Sequence, residues 1–339
     1  MTTSMRLQLQ AVSAGYSERR QPTKVVVPPF TESLDAGQLV CLIGPNGAGK
    51  STLLRTLAGI QKPLSGQVLL NGHDVHRMSA SDRAKHISVV LTQKMEVGLF
   101  TGYGLVAMGR HPYTAWSGQL SESDHAVVMR SIEMVGAEKL ADQSINTMSD
   151  GERQKIMIAR ALAQEPDLLI LDEPTAFLDL PRRVETLVLL RDLAREVGCS
   201  IVLSIHDLDL ALRLADRIWL LPQGAPIQVG MPEELVLNGA FEAAFESANV
   251  AFDAETGAFK TREKNVRHVS LKGDGVTYIW TRRALERAGY AVSERLGTGQ
   301  PHIEIETLAD NPRWQVNVDN QSTRYASIES LLLGLNNSS

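Results

Sequence analysis

The feature that most constrains the fold of this chain is a glycine-rich octapeptide between an apolar run and a predicted helix. The apolar run is Leu39–Ile43, and the helix is predicted from Ser51 to Ala58, closed by Gly59. Glycines let a backbone wrap closely enough for its N–H groups to point at phosphate oxygens, and the helix presents its positive end to the same anion. The octapeptide has the spacing of a phosphate-binding loop and reads Gly44-Pro45-Asn46-Gly47-Ala48-Gly49-Lys50-Ser51.

Two side chains of this loop are predicted to act on the ligand directly. We expect Lys50 to reach the β- and γ-phosphates of a nucleotide and Ser51 to bind Mg²⁺. Thr52, the next residue of the helix, completes the predicted nucleotide contact. The motif alone is compatible with kinases, GTPases and many ATPases.

A second apolar run ends in two acids. Leu168–Leu171 is followed directly by Asp172 and Glu173. A strand buried on both faces delivers its last residues to the crevice at the edge of the sheet, where ligands bind. Asp172 is therefore predicted to hold Mg²⁺, through water, and Glu173 to polarise an attacking water. The plainer alternative is a pair of acids that cap a helix before Pro174.

The apolar pattern alternates between strand and helix periods over the first 250 residues. This alternation predicts an α/β fold with a largely parallel sheet covered on both faces. Antiparallel strands cluster near the start, and residues 95–150 follow a helical pattern. The predicted strands are Leu7–Val12, Leu39–Ile43, Val68–Leu70, Ser88–Thr92, Leu168–Leu171, Ser200–Ser204 and Arg217–Leu221. The further predicted helices are Gly151–Gln164, Arg182–Glu196 and Asp209–Ala215.

The character of the sequence changes after residue 250, which predicts a second domain. Residues 251–265 are polar, contain Gly257 and are predicted to be a linker between a first domain at 1–250 and a second at 266–339. The second is predicted to be a small α/β domain. Its predicted strands are His268–Leu271, His302–Ile305 and Trp314–Val318, and its predicted helices are Thr281–Ala288 and Ile328–Leu335.

Composition excludes some classes of function. Hydrophobic residues make up 43% of the chain, which supports a packed core, and the formal net charge of -5 without a basic run argues against nucleic acid as a partner. Cys41 and Cys199 lie in apolar runs and are predicted to be buried, reduced thiols rather than a disulfide or metal pair. No apolar run reaches the roughly 18–20 residues that span a bilayer, and the start lacks a signal-peptide pattern. We therefore expect the chain to be soluble by itself, so that any membrane role must come through partner chains.

The residues between the two phosphate-site motifs carry a family resemblance. Thr147-Met148-Ser149-Asp150-Gly151-Glu152-Arg153-Gln154 resembles the signature motif of ABC ATPases. The resemblance implies a P-loop ABC ATPase domain with a mixed sheet, an antiparallel β subdomain and a helical subdomain. It also implies a homodimer with ATP and Mg²⁺ between subunits, in which Ser149, Asp150, Gly151 and Glu152 cap the nucleotide of the opposite copy. Asp179 matches the loop that crosses the dimer interface.

Three further residues match roles in this family. Gln93 matches the glutamine that senses the γ-phosphate, contributes with Ser51 and Asp172 to the metal site, and links to membrane subunits. His206 matches the histidine that contacts the γ-phosphate, and with Glu173 and Gln93 it completes the implied catalytic set. Tyr16 matches the aromatic residue that stacks on adenine; its alternative is a surface tyrosine in a turn.

The signature departs from the usual family pattern at two positions. Asp150 stands where the family usually has glycine, and Glu152 stands in place of glutamine. A carboxylate aimed at the anion would repel it, so we expect Asp150 to point away and leave Ser149 and the N–H of Gly151 to bind.

The chain looks most like the ATPases of iron–siderophore, haem and cobalamin importers. Residues that carry this resemblance include Gly109–Tyr113 and Pro174–Asp179. It implies a peripheral location on the cytoplasmic face of the inner membrane, membrane permease partners that dock on Gly98–Pro112, and an indirectly linked substrate-binding protein. The alternatives are an exporter engine or a soluble ABC ATPase without a transport role. The second domain is interpreted as an accessory, dimer-stabilising unit or a regulatory one.

Overall fold

The protein is described here from a computed structural model. The structure describes residues 5–17, 22–91, 100–114, 118–245, 250–254, 256–261, 267–294, 300–308, 311–318 and 321–337. The chain divides into two compact units, 1–260 and 261–339. Among the described residues, no helix has both the length and the apolar character that a membrane span requires.

A mixed, mostly parallel sheet forms the centre of the first unit. Its strands are β3 (Leu39–Ile43), β6 (Ile87–Val90), β7 (Leu168–Leu171), β8 (Ser200–Ser204), β9 (Arg217–Leu220) and β10 (Gln228–Gly230). Their order is β10-β9-β3-β8-β7-β6, and only β10 runs antiparallel to its neighbour within this described sheet. Every residue of β3, β7 and β8 is buried, as expected for strands covered on both faces. The predicted bounds of these three strands are confirmed.

The first described strands of the chain form an antiparallel sheet. It comprises β1 (Met5–Tyr16), β2 (Lys24–Asp35), β4 (Ser65–Leu70) and β5 (His73–Asp74), in the order β2-β1-β4-β5. Asn71 and Gly72 connect β4 to β5 with φ angles of 50° and 78°, the left-handed conformation that a tight hairpin turn requires. This sheet is the antiparallel β subdomain that the family resemblance implied.

Helices cover the central sheet and build a helical region. They are α1 (Lys50–Leu57), α2 (Ala80–His86), α3 (Gly102–Ala107), α4 (Glu122–Met134), α5 (Asp150–Leu162), α6 (Leu180–Val197), α7 (Leu208–Leu214), α8 (Pro232–Leu237) and α9 (Ala240–Phe245). Short 3-10 turns lie at Met108–Tyr113, Glu138–Leu140 and Ile145–Thr147. Apolar residues of α3, α4 and α5 join one hydrophobic cluster with β3, β7 and β8, which fixes the helical region against the sheet.

The predicted linker at 251–265 is wrong over its first part. Val250–Asp253 (β11) and Ala258–Thr261 (β12) pair as a small sheet. The rings of Phe252 and Phe259 meet edge to face with their centroids 5.7 Å apart, and Phe252 also packs on Phe241 of α9. Aromatic contacts therefore order a segment whose average polarity suggested a connector.

The second unit is a sheet with two helices packed on it. It contains β13 (Arg267–Lys272), α10 (Gly275–Arg287), β14 (Tyr290–Ser293), β15 (His302–Leu308), β16 (Asn311–Val318), β17 (Gln321–Tyr325) and α11 (Ile328–Asn337). The strand order is β14-β13-β15-β16-β17. Val269, Ile303, Trp314 and Leu331 share one core, and Trp314 donates a 2.8 Å hydrogen bond to Thr281. A small α/β unit is present, as the sequence predicted.

Candidate nucleotide site

The glycine-rich loop joins the buried strand β3 to helix α1. Gly49 precedes the helix with φ of 103°, and a Cβ there would lie 2.5 Å from Val26 Cγ1. A Cβ on Gly44 would lie 2.4 Å from the carbonyl oxygen of Leu221. Both positions therefore require glycine, one for its conformation and both for lack of space. Asn46 and Gly47 are exposed at the tip, whereas Pro45, Ala48 and Ser51 are partly or fully buried.

Lys50 is buried and curls back over this loop. Its Nζ donates hydrogen bonds to the carbonyl oxygens of Gly44, at 2.7 Å, and Pro45, at 3.3 Å. Burial lowers the pKa of Lys50, while the negative charges of Glu173 and Asp172 oppose this shift. The ammonium group thus lies within electrostatic reach of both predicted acids, where a phosphate would strengthen its charged form.

The two acids after β7 are fixed by a hydroxyl from the neighbouring strand. Ser204, the last residue of β8, donates to Asp172 Oδ1 at 2.7 Å and accepts from the N–H of Glu173 at 2.8 Å. Ser204 has no exposed surface. Sequence reasoning missed this residue; its signal was a polar side chain ending an otherwise apolar strand.

Glu173 and His206 are in direct contact. Nε2 of His206 lies 2.6 Å from Oε1 of Glu173. Glu173 has φ of 50°, an unfavourable backbone conformation for a residue with a side chain. Such strain is concentrated at functional sites, and here the strained residue is fixed by the hydrogen bond from its N–H to Ser204.

Tyr16 and Thr52 bring the antiparallel sheet to the phosphate loop. The hydroxyl of Tyr16 lies 2.9 Å from Oγ1 of Thr52 in α1. The Tyr16 side chain is 47% exposed, so its ring is accessible to a ligand beside the loop. Gln93, the remaining residue predicted for this cluster, lies outside the described residues.

The signature residues form a helix cap. Ser149 precedes α5, and both its N–H (2.9 Å) and its hydroxyl (2.7 Å) donate to Oε2 of Glu152. These bonds lower the pKa of Glu152. Asp150 is exposed, and its Oδ1 lies 3.7 Å from Nη1 of Arg153, further along the helix.

A second helix begins against this cap. Asp179 precedes α6 and accepts from the N–H of Arg182 at 3.0 Å. Nη1 of Arg182 in turn donates to Oγ of Ser149 at 3.4 Å. The structure thus brings Ser149, Gly151 and Asp179 together through Arg182, a residue that sequence reasoning missed because its partner is 33 residues away.

Cys41 and Cys199 take no part in either cluster. Both are free and buried, as predicted, and burial raises the pKa of each thiol to about 12. Within the described part of the chain, no group of three acidic, histidine or cysteine side chains forms a metal site.

Two family models match the chain. The model described as "ABC transporter" matches residues 29–176, and the one described as "Iron ABC transporter C-terminal domain" matches residues 266–336. The two matches fall in the first and second structural units respectively.

Similar curated proteins have related names. An uncharacterised ABC transporter ATP-binding protein of Methanocaldococcus jannaschii is 43% identical over 265 residues, which cover 78% of this chain and 90% of the relative. A cobalamin import ATP-binding protein of Halobacterium salinarum is 38% identical and covers 77% of this chain and 67% of its own length. An iron(3+)-hydroxamate import ATP-binding protein of Bacillus subtilis is 36% identical, with coverages of 74% and 91%.

Solved structures show the same fold. A metal-chelate type ABC transporter in an inward-facing conformation matches with a TM-score of 0.62 and 25% identity, over 76% of this chain and 96% of that one. A dimeric bacterial ABC transporter cassette matches with a TM-score of 0.57 and 25% identity, over 67% and 98%.

Proposed function

This chain belongs to the ABC transporter ATP-binding proteins, the ATPases of transport systems, and from that premise we propose that it powers an importer of iron–siderophore, haem or cobalamin. The observation that carries its role as the hydrolysing subunit is the Glu173–His206 pair at 2.6 Å, beside a buried lysine of the phosphate loop. The names of the relatives support metal chelates or cobalamin as cargo.

The residues around the loop suit a nucleotide with Mg²⁺. Ser51 and Asp172 offer hydroxyl and carboxylate oxygens, the hard ligands that Mg²⁺ prefers, and Gln93 is proposed as a further ligand. The hydroxyl of Ser204 fixes Oδ1 of Asp172 and so positions this carboxylate at the end of β7. Bound Mg²⁺ would neutralise phosphate charge.

Glu173 is proposed to act on water. Its carboxylate takes a proton from a water whose oxygen bonds to the γ-phosphorus, the bond from that phosphorus to the β–γ bridging oxygen breaks, and ADP and phosphate leave. The imidazole of His206 holds the Glu173 carboxylate in place. It is also proposed to contact the γ-phosphate. Lys50, released from its carbonyl partners, bonds the β- and γ-phosphate oxygens.

Two copies are proposed to share each ATP. The N-terminus of α5 can bind an anion. The phosphate loop of the same copy is a separate site, so we assign to α5 the nucleotide that is held by the opposite copy. The dimeric cassette of similar fold supports this arrangement. ATP then closes the dimer because it binds the closed state better, and hydrolysis reopens it.

A cleft beside β6 is proposed to receive a short cytoplasmic helix of a permease, at the inner face of the membrane. The cleft measures about 670 Å³ and is lined by Ile87, Val89, Met108, His111 and Arg160. Burial lowers the pKa of Arg160, and in the described residues its guanidinium makes no hydrogen bond or ion pair. An apolar cleft with an unpaired cation fits a helix that carries a carboxylate.

Affinity purification tests this function. Tagged Glu173→Gln is purified from detergent-solubilised membranes with MgATP, and Lys50→Ala, which should not hold ATP, serves as the matched control. We expect a many-helix permease pair with the first variant, together with a substrate-binding protein whose cargo identifies the substrate.

Two other outcomes would replace this proposal. An efflux permease without a binding protein would indicate an exporter engine. Recovery of ribosomal or DNA-repair proteins with no membrane protein would indicate a soluble ABC ATPase.

A further inference from the structure

Arg182 occupies the space above Gly151 at the start of α5. A Cβ added to Gly151 would lie 2.3 Å from Nη1 and 2.9 Å from Cδ of Arg182. The same Nη1 donates to Ser149 Oγ at 3.4 Å, and Nε of Arg182 lies 4.0 Å from Oδ2 of Asp179. The absence of a side chain at position 151 therefore lets a guanidinium rest on the signature residues.

The Arg182 guanidinium lies against the first turn of α5, which carries two acidic residues. Asp150 and Glu152 both belong to the first turn of α5. The Glu152 carboxylate is used internally, because it accepts from the N–H and hydroxyl of Ser149. Asp150 is exposed and has only the 3.7 Å contact with Arg153 as an ion pair among the described residues. The negative charge of Asp150 would therefore repel an incoming phosphate, and neither Ser149 nor Glu152 supplies a positive charge to offset it.

We propose that Arg182 is a further nucleotide-binding residue, which offsets the charge of Asp150 and donates to the terminal phosphate of the ATP held by the opposite copy. This inference rests on the proposed function. A guanidinium has five N–H donors, and the bond to Ser149 uses one of them, so others are available for phosphate oxygens. The hydroxyl of Ser149 donates its one hydrogen to Glu152, so it has no donor left for a phosphate oxygen in this arrangement.

The test measures ATP-driven pairing in a Glu173→Gln background, in which ATP is retained. Analytical ultracentrifugation gives the dimer fraction against MgATP concentration for Arg182→Gln, Arg182→Lys and Arg195→Gln. Arg195 lies near the other end of α6 and pairs with Asp216, which makes it the matched control. We expect the half-maximal ATP concentration to rise about tenfold for Arg182→Gln, much less for the lysine variant, and not at all for the control.

Two further readouts separate a phosphate contact from a structural role. Binding of a fluorescent ATP analogue at low protein concentration, where the chain is monomeric, should be unchanged in Arg182→Gln. Adding Asp150→Asn to Arg182→Gln should restore most of the pairing, because the proposed role of Arg182 is to offset the charge of Asp150.

Two results would overturn the inference. One is an Arg182→Gln curve equal to that of Arg195→Gln. The other is a loss of ATP binding by the monomer and of thermal stability in Arg182→Gln, with the same losses in Arg182→Lys. A Glu173→Gln parent that binds ATP but never pairs would instead refute the proposed two-copy function itself, and the inference with it.

Discussion

Ser204 donates a 2.7 Å hydrogen bond to Oδ1 of Asp172, so a hydroxyl on one central strand fixes an acid at the end of its neighbour. The hydroxyl oxygen of Ser204 also accepts a hydrogen bond from the N–H of Glu173. The register explains the contact, because Leu171 pairs with Leu203 and the chain continues one residue further on each strand. Ser204 is therefore a positioning residue for both acids.

Replacing Ser204 by alanine should loosen both carboxylates without removing either. We expect kcat for ATP hydrolysis to fall about tenfold with little change in KM, because both hydrogen bonds of the Ser204 hydroxyl are lost. Ser200→Ala, at the opposite end of the same strand, is the matched control, since its hydroxyl bonds the carbonyl of Asp35. Equal rates for the two variants would remove Ser204 from the site.

Glu173→Gln keeps the shape of the side chain but loses its basicity. We expect the hydrolysis rate to fall by about 10²- to 10⁴-fold, the typical contribution of a positioned base, with ATP binding preserved. Steady-state phosphate release and nucleotide binding check this, with the exposed Glu196→Gln on α6 as control. A variant that hydrolyses at the wild-type rate would assign the base elsewhere.

The elements best predicted from sequence were those whose burial is uniform. Leu39–Ile43, Leu168–Leu171 and Ser200–Ser204 are short apolar runs, and the structure has strands with those bounds. Strand β2 was not predicted because Pro28 and Pro29 interrupt it. Prolines are tolerated there because β2 is at the edge of its sheet.

The tertiary contacts of the site lay beyond sequence reasoning. A signature motif predicts the cap at Ser149, but the contact with Arg182 depends on how α6 meets α5. Helix α2 begins with a common capping residue, because the Ser79 side chain accepts a hydrogen bond from the N–H of Asp82. The helix buries no residue, so its sequence lacks the apolar periodicity that predicts a helix. The polar strand β17 is likewise visible only through its pairing with β16.

Asp124→Asn should destabilise the helical region. Asp124 accepts from the buried guanidinium of Arg110 at 2.9 Å, and bonds from Ser121, followed by that from Arg110, lower its pKa to about 2. Removing the charge should cost about 2 kcal/mol of unfolding free energy at neutral pH, less than a complete break because Arg110 keeps Glu165. Glu122→Gln, in the same first turn, is the control.

The pH dependence of that loss has a defined sign. The folded-state pKa of Asp124 lies below its usual 3.8, so its contribution is complete above 3.8 and disappears as pH falls toward 2. The gap between wild type and Asp124→Asn in urea unfolding should be constant from pH 7 to 4 and narrow below that. A gap that is unchanged at the lowest pH would contradict the assignment.

The two thiols should be chemically silent in the folded protein. Their pKa values of about 12 leave almost no thiolate at pH 8. A colorimetric disulfide reagent should label neither Cys41 nor Cys199 in the native chain and both in denaturant. Rapid native labelling of either would show that its thiol is accessible.

If ATP joins two copies of this chain, the molar mass of Glu173→Gln in solution must double when MgATP is added. Light scattering is measured with MgATP, with MgADP and without nucleotide, with Lys50→Ala treated identically. We expect the mass of two chains only for Glu173→Gln with MgATP, and the mass of one chain, 37.1 kDa, in every other sample. A single-chain mass for Glu173→Gln saturated with MgATP, or a dimer indifferent to nucleotide, would contradict it.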